Sequence, residues 1–452
     1  MKKPWRWLWV LPVTLLLLVL AVLALNTFDE RLDANAATMG EPRAASVLEA
    51  QNGYLAVIAM GAADGADGTA YAQAWLAEAR TAAGENRPEK QPQATRAQRA
   101  ALCDSTQTSC LTALQDNLDS VGARLDTYGE DLARYEKLID YRAYEEILDY
   151  RFSLESQFPR YAAMGGAQRA WLARAALAAQ AGKVDAALTA VERDMAFQRV
   201  MLRDSRTLIG RMVAAANYSR DLAFLADLLQ TSLGDLKPHA PRLTAMLKPI
   251  DRASLNMDAL IETEFGAMKQ LLKDPAAAGK GQSGFLETLG VRLLRLLYRP
   301  NATVNAAFAD YMQIRESLRK PPATLTRNLD TQNKAADDAE SGLALLDYIV
   351  NPVGKTLVKI AMPSFSAYAL RLHDLDAMNR LLGLGAEIIA ADVGAEDIAE
   401  FVSKSDARFF DPYSGKPMRW DAASKQLSFK VSDTLAKQRL FNVENGRMFL
   451  QM

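Results

Sequence analysis

The stretch YEKLIDYRAYEEILDYRFSLESQFPRY sets Tyr135, Tyr141, Tyr144, Tyr150 and Tyr161 among Glu145, Glu146 and Asp149. Aromatic rings and carboxylates are the materials of a glycan or peptide groove, and paired carboxylates can act as general acid and base on a glycosidic bond. The same spacing has a plainer reading. Charges three and four apart on a helix form a solvated face, and tyrosines half-buried between helices are ordinary packing. The plainer reading is the expectation, so Tyr141, Tyr144, Glu145, Glu146 and Asp149 stand as a possible ligand or partner surface rather than as catalytic groups.

A second dense run is FFDPYSGKPMRWD, Phe409 to Asp421. Its chemistry is that of a turn: Pro412 presets φ at the second position and Gly415 relieves the corner, so Asp411, Pro412 and Gly415 mark a hairpin. Met418 and Trp420 then alternate with Arg419, Leu427, Phe429 and Val431 alternate again, and Asn445-Gly446 is a hairpin signal. The spacing predicts a small antiparallel sheet, with Lys416 and Arg419 in water and Trp420 against the preceding helix.

Other motifs fall away. Gly354-Lys355-Thr356 copies the end of a phosphate-binding loop, but Ile349 stands where that loop needs a glycine. His373 lies beside Asp374 and Asp376, the pattern of a surface histidine among acids. Two histidines and two cysteines, far apart, are a poor set of metal ligands, so no catalytic, cofactor or metal residue is assigned. Cys103 and Cys110 flank a polar loop and are candidates for one disulfide in an oxidising compartment. With 53 basic against 54 acidic residues, nothing points to nucleic acid.

These residues need a frame, which begins at the N-terminus. After Lys2, Lys3 and Arg6 the chain is uncharged from Leu8 to Leu25. Counted from Trp7, the run spans about 28 Å as a helix, close to a bilayer core. Trp5, Trp7 and Trp9 would sit at the headgroups, with the positive end cytoplasmic. A cleaved signal is the alternative, with Ala34 and Ala36 as its small-residue site, but the apolar run is longer than signals use. The expectation is therefore a single-pass anchor (1–26) touching lipid through 7–25 of a bacterial inner membrane, with the bulk periplasmic.

The remainder reads as mainly α. Residues 27–98 form membrane-proximal helices and a polar linker, Glu85 to Gln98; 99–402 form a helical bundle or irregular solenoid; 403–452 form the β-hairpin subdomain. LAAQAGKVDAAL looks like a tetratricopeptide-type helical hairpin turning at Gly182, without the 34-residue recurrence of a true array. Arg292, Arg295 and Arg299 line one side of a Leu-rich helix expected to pack into the core. A long helix is expected over 363–391.

DPYSGKPMRWD…KQLSFKV resembles a C-terminal pattern, Asp-Pro-aromatic-Ser/Thr-Gly-Lys-Pro, of uncharacterised bacterial single-pass envelope proteins with helical extracytoplasmic regions. The stretches YRPNATVN and NPVGK…IAMPSF are similar to that group too. More distantly, the run is similar to the C-terminal sheet of type II secretion pseudopilins, although the chain lacks their prepilin cleavage site. The resemblance implies an envelope location and a hairpin, and no known activity. The functional expectation is a membrane-anchored scaffold engaging another envelope protein. The alternatives are a cell-wall glycan or peptide enzyme using the clustered carboxylates, and a secretion or assembly accessory.

Overall fold

The computed structural model describes residues 5–85, 102, 110–114, 118–150, 152, 156–231, 236–273, 296–326, 349–361, 365–432, 443–444 and 446–452. It opens with α1 (Trp5–Thr27), α2 (Ala34–Thr38), α3 (Gly53–Ala59) and α4 (Gly68–Glu85). The middle holds α5 (Cys110–Ala113), α6 (Leu118–Asp126), α7 (Gly129–Leu138), α8 (Tyr161–Gln180), α9 (Val184–Asp204) and α10 (Leu208–Gln230). Then come α11 (Ala240–Met246), α12 (Arg252–Leu255), α13 (Asp258–Lys273), α14 (Pro300–Leu318), α15 (Pro352–Ala361), α16 (Phe365–Ala390) and α17 (Ile398–Ser403). Strands β1 (Arg419–Asp421), β2 (Gln426–Lys430), β3 (Val443–Glu444) and β4 (Arg447–Gln451) close the chain.

The expected helical hairpin is α8 and α9. Alanines on α8 let the helices approach closely, and Gly182, at φ +74°, takes the left-handed corner that a side chain would resist. Helices α10 and α16 are buried on most of their circumference, which places them at the centre. The expected long helix starts at Phe365.

The sheet has the order β1-β2-β4-β3, all antiparallel, with Leu427 opposite Leu450 and Phe429 opposite Met448. These side chains pack on α16, where a Cβ at Gly385 would lie 2.5 Å from Leu450. One hydrophobic cluster runs from Ala36 to Leu450, so the sheet is a wall of the common core.

One expectation needs correcting. The helical reading of the tyrosine-carboxylate stretch fails past Leu138: residues 141–150 carry no helix, and Asn52 bridges Ala143 in parallel. The Asn52 amide donates to the Glu145 carbonyl at 2.8 Å and accepts the Glu145 N–H at 2.9 Å, while Gly53 N–H donates to the Ala143 carbonyl. A distant asparagine thus supplies the hydrogen bonds that a helix would have supplied, and tertiary pairing overrides local periodicity.

The polar linker, Arg292 and Arg295 fall outside the described residues, apart from Glu85 at the end of α4. Arg299 is the residue before α14.

Candidate functional site

The three carboxylates singled out by the sequence do not converge. The Glu145 carboxylate accepts from Ser46 N–H and Oγ–H and from Val47 N–H at 2.7–2.9 Å, fastening an N-terminal turn. Asp149 takes a forked ion pair from Arg80, 2.7 Å at its shortest, both partners partly exposed. Glu146 is buried at 2 % exposure. Tyr144 is buried too, edge-on to Tyr54 at 5.8 Å and to Phe197 at 6.4 Å. Of the five residues, Tyr141 is the one that lines a surface groove, half-buried at its edge.

Glu146 caps a helix. Its carboxylate accepts from Arg206 N–H (2.7 Å), Thr207 N–H (2.6 Å) and Thr207 Oγ–H (2.7 Å) at the start of α10. Glu264 accepts the next amide, Leu208, at 2.7 Å. Two carboxylates at the positive end of a 23-residue helix satisfy amides that have no partner within it. Gly210 makes the room, since a Cβ there would stand 2.2 Å from Glu146 Oε1. Burial raises the Glu146 carboxyl, opposed by these donors and by buried Arg211, whose own pKa burial lowers to about 10.

Sequence reasoning missed a buried acid pair. Tyr135 Oη–H donates to Asp194 Oδ1 at 2.7 Å, Gln198 Nε2 to the same atom at 2.9 Å, and Gln168 Nε2 to Oδ2 at 3.2 Å. Asp221 receives one long bond from Gln168, 3.4 Å. Desolvation and then the neighbouring Asp194 push the Asp221 carboxyl far up. Burial raises the Asp194 carboxyl too, but the donors gather on Asp194 and oppose that rise, so Asp221 is the more strongly shifted of the two. Both are 0 % exposed, which closes them to substrate and leaves them to align α7 to α10. The sequence signal is slight: polar residues four apart, Asp194 with Gln198 and Asn217 with Asp221, inside largely apolar helices.

The Asp-Pro corner is built as expected. Asp411 accepts from Tyr413 N–H and Ser414 Oγ–H at 2.9 Å, its carbonyl accepts from Gly415 N–H, and Gly415 has φ +64°. Lys416 and Arg419 are exposed, and Trp420 is half-buried against the core. Asp374 of α16 pins this corner, accepting from Tyr413 Oη–H at 2.6 Å and from the Ser432 N–H and hydroxyl. Asp376 accepts from Ile250 N–H and Arg380. Both acids are thus engaged elsewhere, and His373 is no surface histidine: it is half-buried, its pKa pushed down to about 4 by burial and Arg380.

Burial also raises the Asp374 carboxyl to about 6. A folded pKa above the unfolded value means that the folded state binds more protons. The stabilising contribution is complete below about pH 4 and is lost as pH rises through about 6. Asp374→Asn should therefore flatten the decline of the melting temperature across that window, by roughly 3 kcal/mol at most. Parallel thermal melts of both proteins from acid to neutral pH check this, and equal slopes would refute it.

A polar network among the described residues joins α1 to the body. Asn26, in the last turn of α1, donates to the Ile349 carbonyl at 2.8 Å and accepts Asn351 N–H at 2.7 Å. Asn351 accepts Arg299 N–H at 3.0 Å and donates to Thr303 Oγ1 at 2.8 Å. Asp29 caps α14 by accepting from Asn301 N–H (2.7 Å) and Ala302 N–H (3.0 Å), and Asn305 donates to the Arg31 carbonyl at 3.0 Å. The asparagines of YRPNATVN and NPVGK are therefore joint residues. Gly354 is required there, because a Cβ would lie 2.0 Å from Thr303 Oγ1.

Below the joint, Lys269 of α13 is 0 % exposed. Its Nζ donates to the carbonyls of Ala37 and Met39 at 2.8 Å and of Ala36 at 3.3 Å, and to Glu41 at 2.6 Å. Gly40, at φ +72°, crosses Gly266 so closely that a Cβ on Gly40 would stand 2.4 Å from Gly266 Cα.

A surface groove of about 640 Å³ runs along α3, α4 and the end of α7, between Leu55, Ala59, Thr69, Lys137 and Tyr141. Arg134 closes one end by donating to the Ala63 and Ala66 carbonyls at 2.9 Å. Among the described residues no group of three His, Cys, Asp or Glu side chains could hold a metal ion. Lys2, Lys3 and Cys103 lie outside the described residues, as do the side chains of Trp5, Arg6, Trp7, Trp9 and Cys110.

Compared with known proteins, the chain matches no family model, no curated protein and no solved structure. Its class rests on its own elements: a mainly helical fold closed by a four-stranded antiparallel sheet, with one N-terminal helix long and apolar enough to cross a membrane. Over Val10–Thr27 that helix has a mean hydropathy of 2.5 and is 6 % buried.

Proposed function

We propose that this chain is a single-pass bacterial inner-membrane protein, N-terminus cytoplasmic, whose periplasmic helical body is a scaffold that holds another envelope protein. The joint at Asn26 carries the reading. A tether needs only a flexible linker, whereas here the last turn of α1 is bonded to the residues that open α14 and α15. Such a mount fixes the body against the bilayer, as a scaffold requires and a diffusible enzyme does not. The groove beside Tyr141 is the face we assign to the partner: an apolar floor at Leu55 and Ala59 with polar rims suits an extended protein segment. Lys2, Lys3, Trp5, Arg6, Trp7 and Trp9 as the interfacial end of the anchor, and a Cys103–Cys110 disulfide, belong to the same reading.

In-cell photo-crosslinking with full-length protein tests it, using a benzophenone residue at Tyr141 and, in comparison, at Tyr413, whose hydroxyl is committed to Asp374. A discrete protein adduct at Tyr141 and none at Tyr413 is expected. Adducts from Tyr413 alone would overturn the assignment of the groove. No adduct at either site, with the protein folded and abundant, would overturn the scaffold reading.

A further inference from the structure

The buried acid pair does more than align helices. We propose that Asp194 of α9 and Asp221 of α10 hold one proton between their carboxyl groups, and that opening of the α7 to α10 core releases it, so that the core is firmest in acid and loosens as pH rises. Both side chains are 0 % exposed, and their carboxyl groups lie within hydrogen-bonding reach of each other. Two carboxylates are acceptors only and repel, whereas a carboxyl group and a carboxylate bond through one hydrogen. The proton belongs to the pair rather than to either residue.

Donors around the pair are in short supply. Gln168 Nε2 has two hydrogens for three acceptors: the Asn217 carbonyl at 2.9 Å, Asp194 Oδ2 at 3.2 Å and Asp221 Oδ1 at 3.4 Å. Tyr135 and Gln198 donate to Asp194, while Asp221 Oδ2 is buried with no donor among the described residues. The titratable and charged groups that face the pair are Tyr135 of α7 and Tyr218 and Arg220 of α10, with Arg169 of α8 beside Arg220. The Arg220 guanidinium donates to Gln168 Oε1 at 2.9 Å and to Asn217 Oδ1 at 2.5 Å. Its charge lowers the Asp221 carboxyl, but burial and Asp194 outweigh it. The folded pair therefore keeps a proton that the opened chain, above about pH 4, gives up to water. The stabilising contribution is complete below about pH 4 and is lost as pH rises towards the raised value.

The test uses the full chain in detergent, with isotope-labelled aspartate read by infrared spectroscopy. At about pH 8, well above the Asp374 value of about 6, the band of a protonated aspartate carboxyl is expected in the wild type and absent from Asp221→Asn. A wild type without that band would overturn the shared proton. Hydrogen exchange over α8 to α10, corrected for the intrinsic effect of pH, reads the coupling to opening. Opening of the wild type relative to Asp221→Asn should grow about tenfold per pH unit from about pH 7 to 8. A flat ratio with the band present would overturn the coupling. Asp194→Asn removes the same repulsion from the other side and should flatten the pH dependence in the same direction, which serves as the reference if Asp221→Asn does not fold. If neither variant folds, the band in the wild type still decides whether the pair holds a proton.

Discussion

Replacing Lys269 with Met is expected to free residues 33–41 from the body, raising amide exchange there by at least about 150-fold while α8 to α10 keep their protection. The physical reason is the company Lys269 keeps. Its ammonium is the donor for three backbone carbonyls at the end of α2 and for Glu41, in a site with no water access at the nitrogen. Methionine fills the volume but leaves those carbonyls facing a thioether. Losing one partner of such a buried cluster costs about 3–5 kcal/mol. Because Gly40 and Gly266 are already in van der Waals contact, the segment cannot slide to new partners; it must lift away. Hydrogen exchange on the full chain reads this directly, and unchanged protection over 33–41 would show that the glycine crossing alone holds the segment.

Glu146→Ala should be the most damaging change among the carboxylates that the sequence offered as acid/base groups. It strands Arg206 N–H, Thr207 N–H and the Thr207 hydroxyl inside the protein, each unsatisfied donor costing about 1–3 kcal/mol. The first turn of α10 also loses the favourable end of its dipole interaction. A total loss of about 3–5 kcal/mol is expected, with Glu146→Gln milder because the amide oxygen still accepts from the two backbone amides. Denaturant unfolding of the three proteins in detergent checks the order. A Glu146→Ala protein as stable as wild type would mean that the carboxylate is dispensable to the fold and would reopen a chemical role for it.

The pair of outcomes bears on how the tyrosine-carboxylate stretch is understood. Glu145, Glu146 and Asp149 are neighbours in sequence, yet one fastens the turn at Ser46, one caps α10 and one pairs with Arg80 at the surface. Reading them as one solvated helical face assumed that the helix continued past Leu138. Asn52 took over that backbone instead, and without a helix nothing brings positions three and four apart onto one face.

What the sequence determined by itself was whatever depends on near neighbours. The uninterrupted apolar run of α1, the Gly182 corner between α8 and α9, the Asp411-Pro412-Gly415 turn and the alternation of Leu427 with Phe429 are all local, and each stands in the structure where the residues indicated. Only the tertiary structure decided which polar side chains would be buried and what they would hold. Asn26 meets Asn351 across 325 positions, Lys269 meets Met39 across 230, and Glu146 meets Thr207 across 61. A lysine, an asparagine or a glutamate carries no mark in its own neighbourhood of a distant carbonyl or amide left without a partner. Desolvation makes that pairing obligatory once the chain has folded, and it is the fold that brings the two ends together.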